Sequence, residues 1–475
     1  MKITVHGTPE NTKSILDLLE DQGISLPCNC HGANSCGGKQ YDFPCALVPH
    51  EDITVTVHPR ESFGGLALSR EQNKNHLPDT LLIDLGTTTV AMVYYSSLHK
   101  TVFYSEVFPN PQLPYGTDVI SRIKYDTDPA HKHELTHMIC EVLSQHYNSF
   151  LASHKNISIE TCLIGGNTTM IHLLLGLSLK GMAAAPFKPL NISPDKLNFC
   201  QGSTEIRILP WLSAFIGGDI ISGMLYLNFG NRKDTCLLVD LGTNGELALV
   251  YEQKIYTAGT AAGPAFEGSG LSCGTPAVPG AISDVSLKRT LPQTRTIGNK
   301  LPTGICGSGA VSILSQLLTC QYMDSSGILT NKFPEDGLIL SRTPSGQKIR
   351  FTKQDVRQMQ LAVAAIGAGI DTLCHSAEIS ADDVDQLCLA GGLGYHINIS
   401  RAAASGMFSS VDTTRIHGVG NSCLLGLASI ARRPDDLSRR IENLRKNSHE
   451  VILADNDYFQ KQFIRHMTYE YNSAL

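Results

Sequence analysis

Short apolar runs that end in a carboxylate and a glycine-rich turn are the main pattern of this chain. Leu81-Leu-Ile-Asp84 and Leu237-Leu-Val-Asp240 have the continuous apolar character of buried strands. A third apolar run, Leu387-Cys-Leu-Ala390, also leads into glycines. Other segments carry apolar residues at helical spacing, as from Gln354 to Leu373. Strand and helix patterns that alternate in this way predict an α/β fold.

Two of these strand ends continue into the same kind of turn, Asp84-Leu-Gly-Thr-Thr-Thr89 and Asp240-Leu-Gly-Thr-Asn-Gly-Glu246. Gly and Thr let backbone N–H groups and hydroxyls approach phosphate oxygens, and Asp holds Mg²⁺ directly or through water. Two such turns predict two half-domains that face one nucleotide. The residues expected around its phosphates are Gly86, Thr87, Thr88, Gly242, Thr243 and Asn244.

The same turns supply candidate catalytic residues. Asp84 and Asp240 are placed to coordinate Mg²⁺ or to orient the attacking water, and Glu246 and Glu267 could each position that water. A carboxylate at a strand end beside glycine is alternatively a turn cap. The glycines after the third run predict a flat surface for the nucleoside, or else tight helix packing. The residues expected there are Gly391, Gly392 and Gly394, with Gly307 and Ser308 nearby.

Composition limits the classes of function. A chain of 475 residues exceeds one ordinary core, so two or three domains are expected. Its 42% hydrophobic and 17% charged residues are typical of a globular protein. A net charge of −6 without a basic block argues against a nucleic-acid partner. The sequence shows neither a membrane-spanning apolar stretch nor a signal peptide, and we therefore expect a cytoplasmic protein without a membrane partner.

Four of the fourteen cysteines form a cluster near the N-terminus. They lie on a glycine-rich loop that could curl around iron and sulfide, with backbone N–H groups directed at the sulfurs. A strand at Lys2–Val5 and a helix at Asn11 to Asp21 are predicted before the loop, and a strand at Asp52–Val57 after it. The four cysteines are Cys28, Cys30, Cys36 and Cys45.

This order of strand, helix, cysteine loop and strand resembles a plant-type [2Fe–2S] ferredoxin. The third ligand position of the ferredoxin pattern is Lys39 here, so Cys28 would have to supply the missing thiolate. Three interpretations stay open: a compact [2Fe–2S] site that uses all four cysteines, a Cys₄ zinc site, and a decayed domain with free thiols. The other ten cysteines are interpreted mainly as small core residues of a protein from a reducing compartment.

Two phosphate turns followed by Ala-Gly-Gly resemble the acetate kinase, sugar kinase, Hsp70 and actin superfamily. Further motifs are Asn110-Pro-Gln112, Ala261-Ala-Gly-Pro-Ala-Phe-Glu-Gly268 and Gly304-Ile-Cys-Gly-Ser-Gly309. As a set, over residues 81–430, they resemble the reductive activators of corrinoid-dependent methyltransferases. The resemblance implies an α/β fold, namely a duplicated actin/Hsp70-like ATPase core with a small N-terminal ferredoxin-like α+β domain.

The expected organisation has five parts. They are a truncated [2Fe–2S] ferredoxin-like domain at 1–62, a linker at 63–79, a first ATPase half at 80–234, a second ATPase half with the adenosine motif at 235–435, and a charged C-terminal tail at 436–475. A surface between Gly263 and Gly280, with Phe266 exposed, is predicted to dock a partner.

The resemblance also implies a function. ATP hydrolysis would be coupled to electron transfer through an N-terminal cluster, which returns a Co(II) corrinoid to Co(I). The implied cofactors are a [2Fe–2S] cluster and Mg·ATP. The implied partners are a corrinoid protein or corrinoid iron–sulfur protein and an external low-potential electron donor, and a homodimer is compatible with the sequence. The alternatives are a metabolite kinase of the same superfamily with a vestigial N-terminal domain, and a non-redox module that senses ATP and docks on a corrinoid protein.

Overall fold

A computed structural model describes residues 2–5, 53–56, 76–190, 200, 204–242, 244–288, 291–408 and 410–469. Its strands are β1 (Lys2–Val5), β2 (Ile53–Thr56), β3 (Thr80–Leu85), β4 (Thr89–Ser96), β5 (Thr101–Pro109), β6 (Thr161–Gly166), β7 (Glu205–Ile208), β8 (Cys236–Leu241), β9 (Gly245–Tyr251), β10 (Lys254–Thr260), β11 (Ala281–Ser286), β12 (Gln293–Thr296), β13 (Gly304–Ile305), β14 (Leu338–Arg342), β15 (Lys348–Phe351), β16 (Gln386–Ala390), β17 (Ile416–Gly420) and β18 (Ser448–Glu450).

The α-helices of the described residues fall mainly between strands of the two large sheets. They are α1 (Val119–Thr127), α2 (Glu134–Ser153), α3 (Thr168–Leu175), α4 (Gly218–Tyr226), α5 (Gly307–Thr319), α6 (Lys353–Ser376), α7 (Gly391–His396), α8 (Ile399–Ala404), α9 (Ser422–Ala431), α10 (Leu437–Asn447) and α11 (Asp457–His466). The helical periodicity from Gln354 to Leu373 is confirmed by α6. No helix among the described residues is long and apolar enough to cross a bilayer.

The two large sheets repeat one topology. The first has the order β5-β4-β3-β6-β7, in which β3, β4 and β5 are antiparallel and β6 and β7 are added parallel to β3. The second has the order β17-β16-β8-β9-β10-β18, with the same arrangement of β8, β9 and β10 and of β16 and β17. This duplication confirms the α/β, actin/Hsp70-like core predicted from the two turns.

The central strands β3 and β8 are apolar because both of their faces are covered. Leu81, Leu82 and Ile83 of β3 have no exposed surface, and neither do Leu237 and Leu238 of β8. Alternate side chains of each strand enter different hydrophobic clusters, so a single strand joins two cores. Asp84 and Asp240, one residue before the end of each strand, are half-buried, and the leucine that follows each of them is buried in a hydrophobic cluster.

Helices α4 and α9 occupy equivalent positions after β7 and β17, and they pack against each other between the two sheets. A Cβ atom at Gly426 would lie only 2.0 Å from the Ser222 carbonyl oxygen, and one at Gly223 would lie 2.9 Å from Ser422 Oγ. Ser222 Oγ donates a hydrogen bond of 2.7 Å to the Cys423 carbonyl. Glycines therefore let the two helix backbones touch and join the halves near the starts of both helices.

Near the N-terminus, β1 and β2 pair antiparallel, with Lys2 opposite Thr56. These strands match the two that the sequence predicts. The predicted helix between Asn11 and Asp21 and the cysteine cluster lie outside the described residues.

The segment after Asp435 is folded against the second half up to Tyr469, although its charge pattern suggested a separate tail. Strand β18 extends the second sheet by pairing parallel to β10. On α11, His466 Nε2 lies 2.7 Å from Asp371 Oδ2 of α6. Helix α10 is mostly charged and polar, but one narrow side of it is apolar, and there Leu437 and Leu444 are buried.

Candidate nucleotide cleft

The start of α9 contacts the carboxylates at the ends of both central strands. Asn421 Nδ2 donates a hydrogen bond of 2.6 Å to Asp84 Oδ2, while its Oδ1 accepts one from the Leu424 backbone N–H and caps the helix. The neighbouring Ser422 Oγ donates to Asp240 Oδ2 at 3.1 Å. Two consecutive residues thus bring together Asp84 and Asp240, which belong to different halves of the chain.

A cluster of four carboxyl groups forms around this point. Burial, and then the charge of Asp84, raise the pKa of Asp240 to about 7. Burial and the charges of Asp240 and Asp84 likewise raise the pKa of Asp219 to about 7. The pKa of Glu246 is raised by burial and then by Asp219 and Asp240, and that of Asp84 by burial against the hydrogen bond from Asn421. The site therefore concentrates negative charge that a cation would stabilise.

Mg²⁺ fits this cluster better than a metal that requires many protein ligands. The described residues contain no group of three or more His, Cys, Asp or Glu side chains arranged to hold a metal ion. Mg²⁺ usually keeps several water ligands and needs only one or two carboxylates together with phosphate oxygens. Asp84 and Asp240 are therefore suited to reach the ion directly or through water.

Side-chain amide groups of two asparagines hold the first glycine turn in place. Gly86 N–H donates to the Thr89 carbonyl at 3.0 Å and closes the turn. Asn110 Nδ2 donates to the Gly86 carbonyl at 2.8 Å, and Asn167 Nδ2 donates to Thr87 Oγ1 at 2.8 Å. Asn110, from the Asn110-Pro-Gln112 motif, and Asn167, directly after β6, thus fix the backbone that would approach phosphate.

A fully buried cation, Arg122, also supports this turn. Its Nη2 donates to the Thr87 carbonyl at 2.5 Å, its Nε to the Gly116 carbonyl at 2.9 Å, and its Nη1 to Gln112 Oε1 at 3.1 Å. Burial lowers the pKa of Arg122 to about 10, so the guanidinium remains charged near neutral pH. Its positive charge lies directly beneath the proposed phosphate turn.

Glu267 lies between the two turns. Its Oε2 accepts a hydrogen bond of 2.5 Å from Thr88 Oγ1 of the first turn. A Cβ atom at Gly242 of the second turn would lie 3.7 Å from Glu267 Oε1. The second turn is closed by a hydrogen bond of 3.0 Å from Gly242 N–H to the Asn244 carbonyl, and Thr243 lies outside the described residues.

Gly391 is placed where no larger residue fits. Its φ of +87° is a left-handed conformation, and a Cβ atom there would lie 2.5 Å from the Leu241 carbonyl and 2.8 Å from Asp240 Oδ1. Gly392 is exposed, and a Cβ atom there would have no neighbour within 4 Å. Gly394 follows on the same short helix, α7. This segment therefore combines close contact with Asp240 and an open backbone surface beside it.

Gly307 and Ser308 pack behind the segment that carries Glu267. A Cβ atom at Gly307 would lie 1.8 Å from the Phe266 carbonyl oxygen. Ser308 is buried, and its Oγ lies 3.2 Å from Cys306 Sγ. The Gly-Ile-Cys-Gly-Ser-Gly motif thus supports the Glu267 turn, and the nucleoside contact expected of Gly307 and Ser308 stays a prediction.

One sequence expectation is wrong in its central residue. Phe266 was expected on an exposed docking surface between Gly263 and Gly280, but it is only 3% exposed and belongs to the core of the second half. Gly268 also packs tightly, because a Cβ atom there would lie 2.1 Å from the Thr275 carbonyl oxygen. Pro276, Val278 and Pro279 of the same segment are exposed, so the correction applies to Phe266 and its immediate surroundings.

Two residues of the cleft, Asn421 and Ser422, are not predicted from the sequence. Arg122 and Asp219 end two glycine-containing polar segments that the sequence marks as cleft loops, Tyr115-Gly-Thr-Asp118-Val-Ile-Ser-Arg122 and Phe215-Ile-Gly-Gly-Asp219, but no role follows for them from the sequence alone. Asp219 lies in the first turn of α4 after Gly217-Gly218, and Asn421, after Gly420, caps α9, which begins at Ser422. The duplicated topology makes these two helix starts equivalent. A polar residue that follows glycine at the start of both helices was the sequence signal for these cleft positions. For Arg122 the segment indicated the cleft, but its burial and its bond to the Thr87 carbonyl are visible only in the structure.

The duplicated sheets, the two glycine turns and the paired strand-end carboxylates place the protein in the ASKHA class, the fold of actin and Hsp70. Residues 234–474 match the family model described as the C-terminal domain of RACo, the ASKHA domain, and residues 80–232 match the RACo middle region. The chain therefore belongs to the RACo family.

Two curated relatives are similar in sequence. The chain is 30% identical over 379 residues to the corrinoid activation enzyme RamQ of Eubacterium limosum. The aligned region covers 73% of this chain and 63% of the relative. It is 27% identical over 288 residues to a [Co(II) methylated amine-specific corrinoid protein] reductase of Methanosarcina barkeri. This aligned region covers 56% of this chain and 52% of the relative. The chain thus spans less than two thirds of either relative.

Among solved structures, the reductive activator for corrinoid, iron–sulfur protein has a similar fold. The match has a TM-score of 0.72 at 24% sequence identity and covers 98% of this chain and 78% of the other.

Proposed function

We propose that this protein is an ATP-dependent reductive activator, which uses ATP hydrolysis to drive an electron onto a corrinoid protein and return Co(II) to Co(I). The observation that carries the proposal is the joint anchoring of Asp84 and Asp240 by Asn421 and Ser422, in a chain of the RACo family. Relatives named for corrinoid activation and for reduction of a Co(II) corrinoid protein give the substrate class.

The cleft between the halves is proposed to bind Mg·ATP. The clustered carboxylates with raised pKa values favour a divalent cation, and the open backbone at Gly392 fits a nucleoside. Asp84 and Asp240 orient the ion and its water, while Glu267 accepts a proton from the attacking water. Glu246, opposite Asp240 on the neighbouring strand, is assigned to position water as well. The phosphates are assigned to Gly86, Thr87, Thr88, Gly242, Thr243 and Asn244, and the nucleoside to Gly391, Gly392 and Gly394 with Gly307 and Ser308 behind them.

Electron transfer is assigned to the N-terminal cysteines, which lie outside the described residues. Four thiolates on one loop match the ligand count of a [2Fe–2S] cluster, which would supply a one-electron carrier. The ligands are Cys28, Cys30, Cys36 and Cys45. An external low-potential donor would reduce this cluster, and a corrinoid protein would accept the electron.

The contact between α4 and α9 is proposed to couple the nucleotide to the partner. Both helices begin at the carboxylate cluster, and each belongs to a different half. A ligand that contacts both helix starts favours one arrangement of the halves over another. We place the reaction in the cytoplasm because all ten cysteines of the described residues are free thiols, as a reducing compartment allows.

The direct test is an anaerobic assay with a corrinoid protein from the same cell and a low-potential reductant. Co(I) absorbance should rise only when Mg·ATP is also present, and Asp240→Asn should abolish that rise. The exposed Asp455 offers a matched control, and Asp455→Asn should behave as wild type. Equal reduction without ATP would overturn the proposal. ATP-dependent phosphorylation of a small metabolite, with no effect on cobalt, would identify a kinase instead.

A second test addresses the cluster. Anaerobic reconstitution should give two irons per chain and a reduced-state EPR signal, and Cys28→Ala should lose both. Cys320, a single half-buried thiol, provides the matched Cys320→Ala control. Bound zinc, or no metal, in the wild-type protein would contradict the electron-transfer assignment. The proposal for the nucleotide cleft is tested separately, by nucleotide binding and ATP hydrolysis.

A further inference from the structure

A second cavity lies away from the carboxylate cluster and is surrounded by positive charge. It has a volume of ≈ 340 Å³ and is lined by Lys100, Ser429, Arg432, Arg433 and Arg440. Four of these five side chains are cationic, and no acidic side chain of the described residues lines the cavity. The whole chain carries a net charge of −6. This local positive charge is therefore opposite in sign to that of the whole protein.

The cavity lies where the two halves meet. Lys100 belongs to the turn between β4 and β5 of the first half. Ser429, Arg432 and Arg433 are at the C-terminal end of α9, and Arg440 is on α10. The cations thus approach the cavity from three separate elements.

The cationic side chains differ in what else they contact. Arg432 Nε donates to Tyr95 Oη at 2.7 Å, and its guanidinium lies 5.7 Å from the centre of the Tyr95 ring. Arg440 Nη2 donates to the Leu225 carbonyl at 3.2 Å. These contacts fix two guanidinium groups at the cavity. Lys100 and Arg433 are exposed, and neither has a side-chain hydrogen bond or ion pair with another described residue.

We propose that this cavity is a binding site for a diphosphate group, separate from the nucleotide cleft. Guanidinium groups form paired hydrogen bonds with phosphate oxygens, and a lysine adds a point charge. Cations that arrive from three elements can contact two phosphoryl groups at once. The volume lies within the range of small-ligand pockets. The source is either inorganic pyrophosphate or the diphosphate of a nucleotide.

The position of the site gives it a connection to the cleft. Helix α9 holds Asp84 and Asp240 through its first residues and reaches the cavity with its last turn, about 15 Å away. A diphosphate at the cavity would bridge Lys100 of the first half and Arg433 of the second. Binding is nevertheless independent of the proposed ATPase activity and can be measured without it.

The experiment is calorimetric titration of the full chain with inorganic pyrophosphate, and separately with ADP, in magnesium-free buffer at low and physiological salt. The variant is Lys100→Glu combined with Arg433→Glu, which changes two exposed side chains. Arg445→Glu, on the same surface helix as Arg440 but outside the cavity, is the matched control. Unchanged circular dichroism and thermal melting would show that both variants fold.

Pyrophosphate should bind wild type and Arg445→Glu with similar affinity and the double variant more than about tenfold more weakly. If ADP binds wild type more tightly than pyrophosphate does, and the double variant loses that binding, the diphosphate belongs to a nucleotide. Equal affinity in the double variant would overturn the proposal. An equal loss of affinity in Arg445→Glu would also overturn it, because binding would then follow overall charge. If neither probe binds wild type, the proposal is likewise overturned.

Discussion

Thr88 donates a hydrogen bond of 2.5 Å to Glu267, although 179 residues separate them in the chain. Thr88 belongs to the first glycine turn, and Glu267 lies beside Gly242 of the second. The contact places one carboxylate within reach of both proposed phosphate sites. Because it lies between the two turns, Glu267 is the residue that we propose activates water.

We expect Glu267→Gln to lower the rate of ATP hydrolysis by roughly 10²-fold, because the amide still accepts from Thr88 but cannot take a proton from water. Nucleotide affinity should stay close to that of wild type. Single-turnover hydrolysis and equilibrium nucleotide binding separate the two effects. Glu335→Gln, at an exposed position far along the chain, is the control. An unchanged hydrolysis rate would remove Glu267 from the mechanism.

Asn421→Asp should destabilise the protein at neutral pH by about 1.5–3 kcal/mol, because a like charge replaces the donor that Asp84 accepts from. Aspartate caps helices as well as asparagine does, so the capping bond itself is retained. Asn456 caps α11 through a bond of 3.0 Å from Phe459 N–H and provides the matched Asn456→Asp control. Urea unfolding without Mg²⁺ measures both. Equal effects of the two substitutions would contradict the charge argument.

The pH dependence of stability should carry the signature of the carboxylate cluster. The pKa values of Asp219 and Asp240 are about 7 when folded and near 3.8 when unfolded, so the folded state binds more protons between these limits. Without Mg²⁺, stability is therefore expected to fall as pH rises from about 4 to 7. Asp219→Asn should reduce this slope and raise the melting temperature at pH 8, and Asp455→Asn should not. A variant that keeps the wild-type slope would argue against the coupling of these groups.

Gly391 and Gly392 provide a paired test of backbone geometry. Gly391→Ala should lose about 2 kcal/mol or more of stability, because a left-handed residue is strained and its Cβ meets the Leu241 carbonyl. Gly392→Ala places its Cβ in open space on a helix, and its stability should be equal or higher by up to about 1 kcal/mol. Denaturant unfolding without nucleotide compares them. Equal destabilisation by both would show that the close contact at Gly391 is relieved by movement.

Local chemistry determined much of this protein from the sequence alone. The strands that end at Asp84 and Asp240 and the long helix at Gln354 to Leu373 follow from periodicity, because an apolar run or a helical stripe needs no knowledge of its partner. The two glycine turns could likewise be recognised singly. Their repetition was enough to predict a duplicated core.

Tertiary structure decided which of these pieces meet. Asn421 and Ser422 contact carboxylates that lie 337 and 182 residues earlier in the chain, and the pKa of Asp219 is raised by burial and by neighbouring carboxylates that the fold supplies. Phe266 looked exposed among glycines, yet it is buried, and a Cβ atom at the nearby Gly268 would meet the Thr275 carbonyl. Burial and long-range charge depend on the whole arrangement of the chain, and no local pattern contains them.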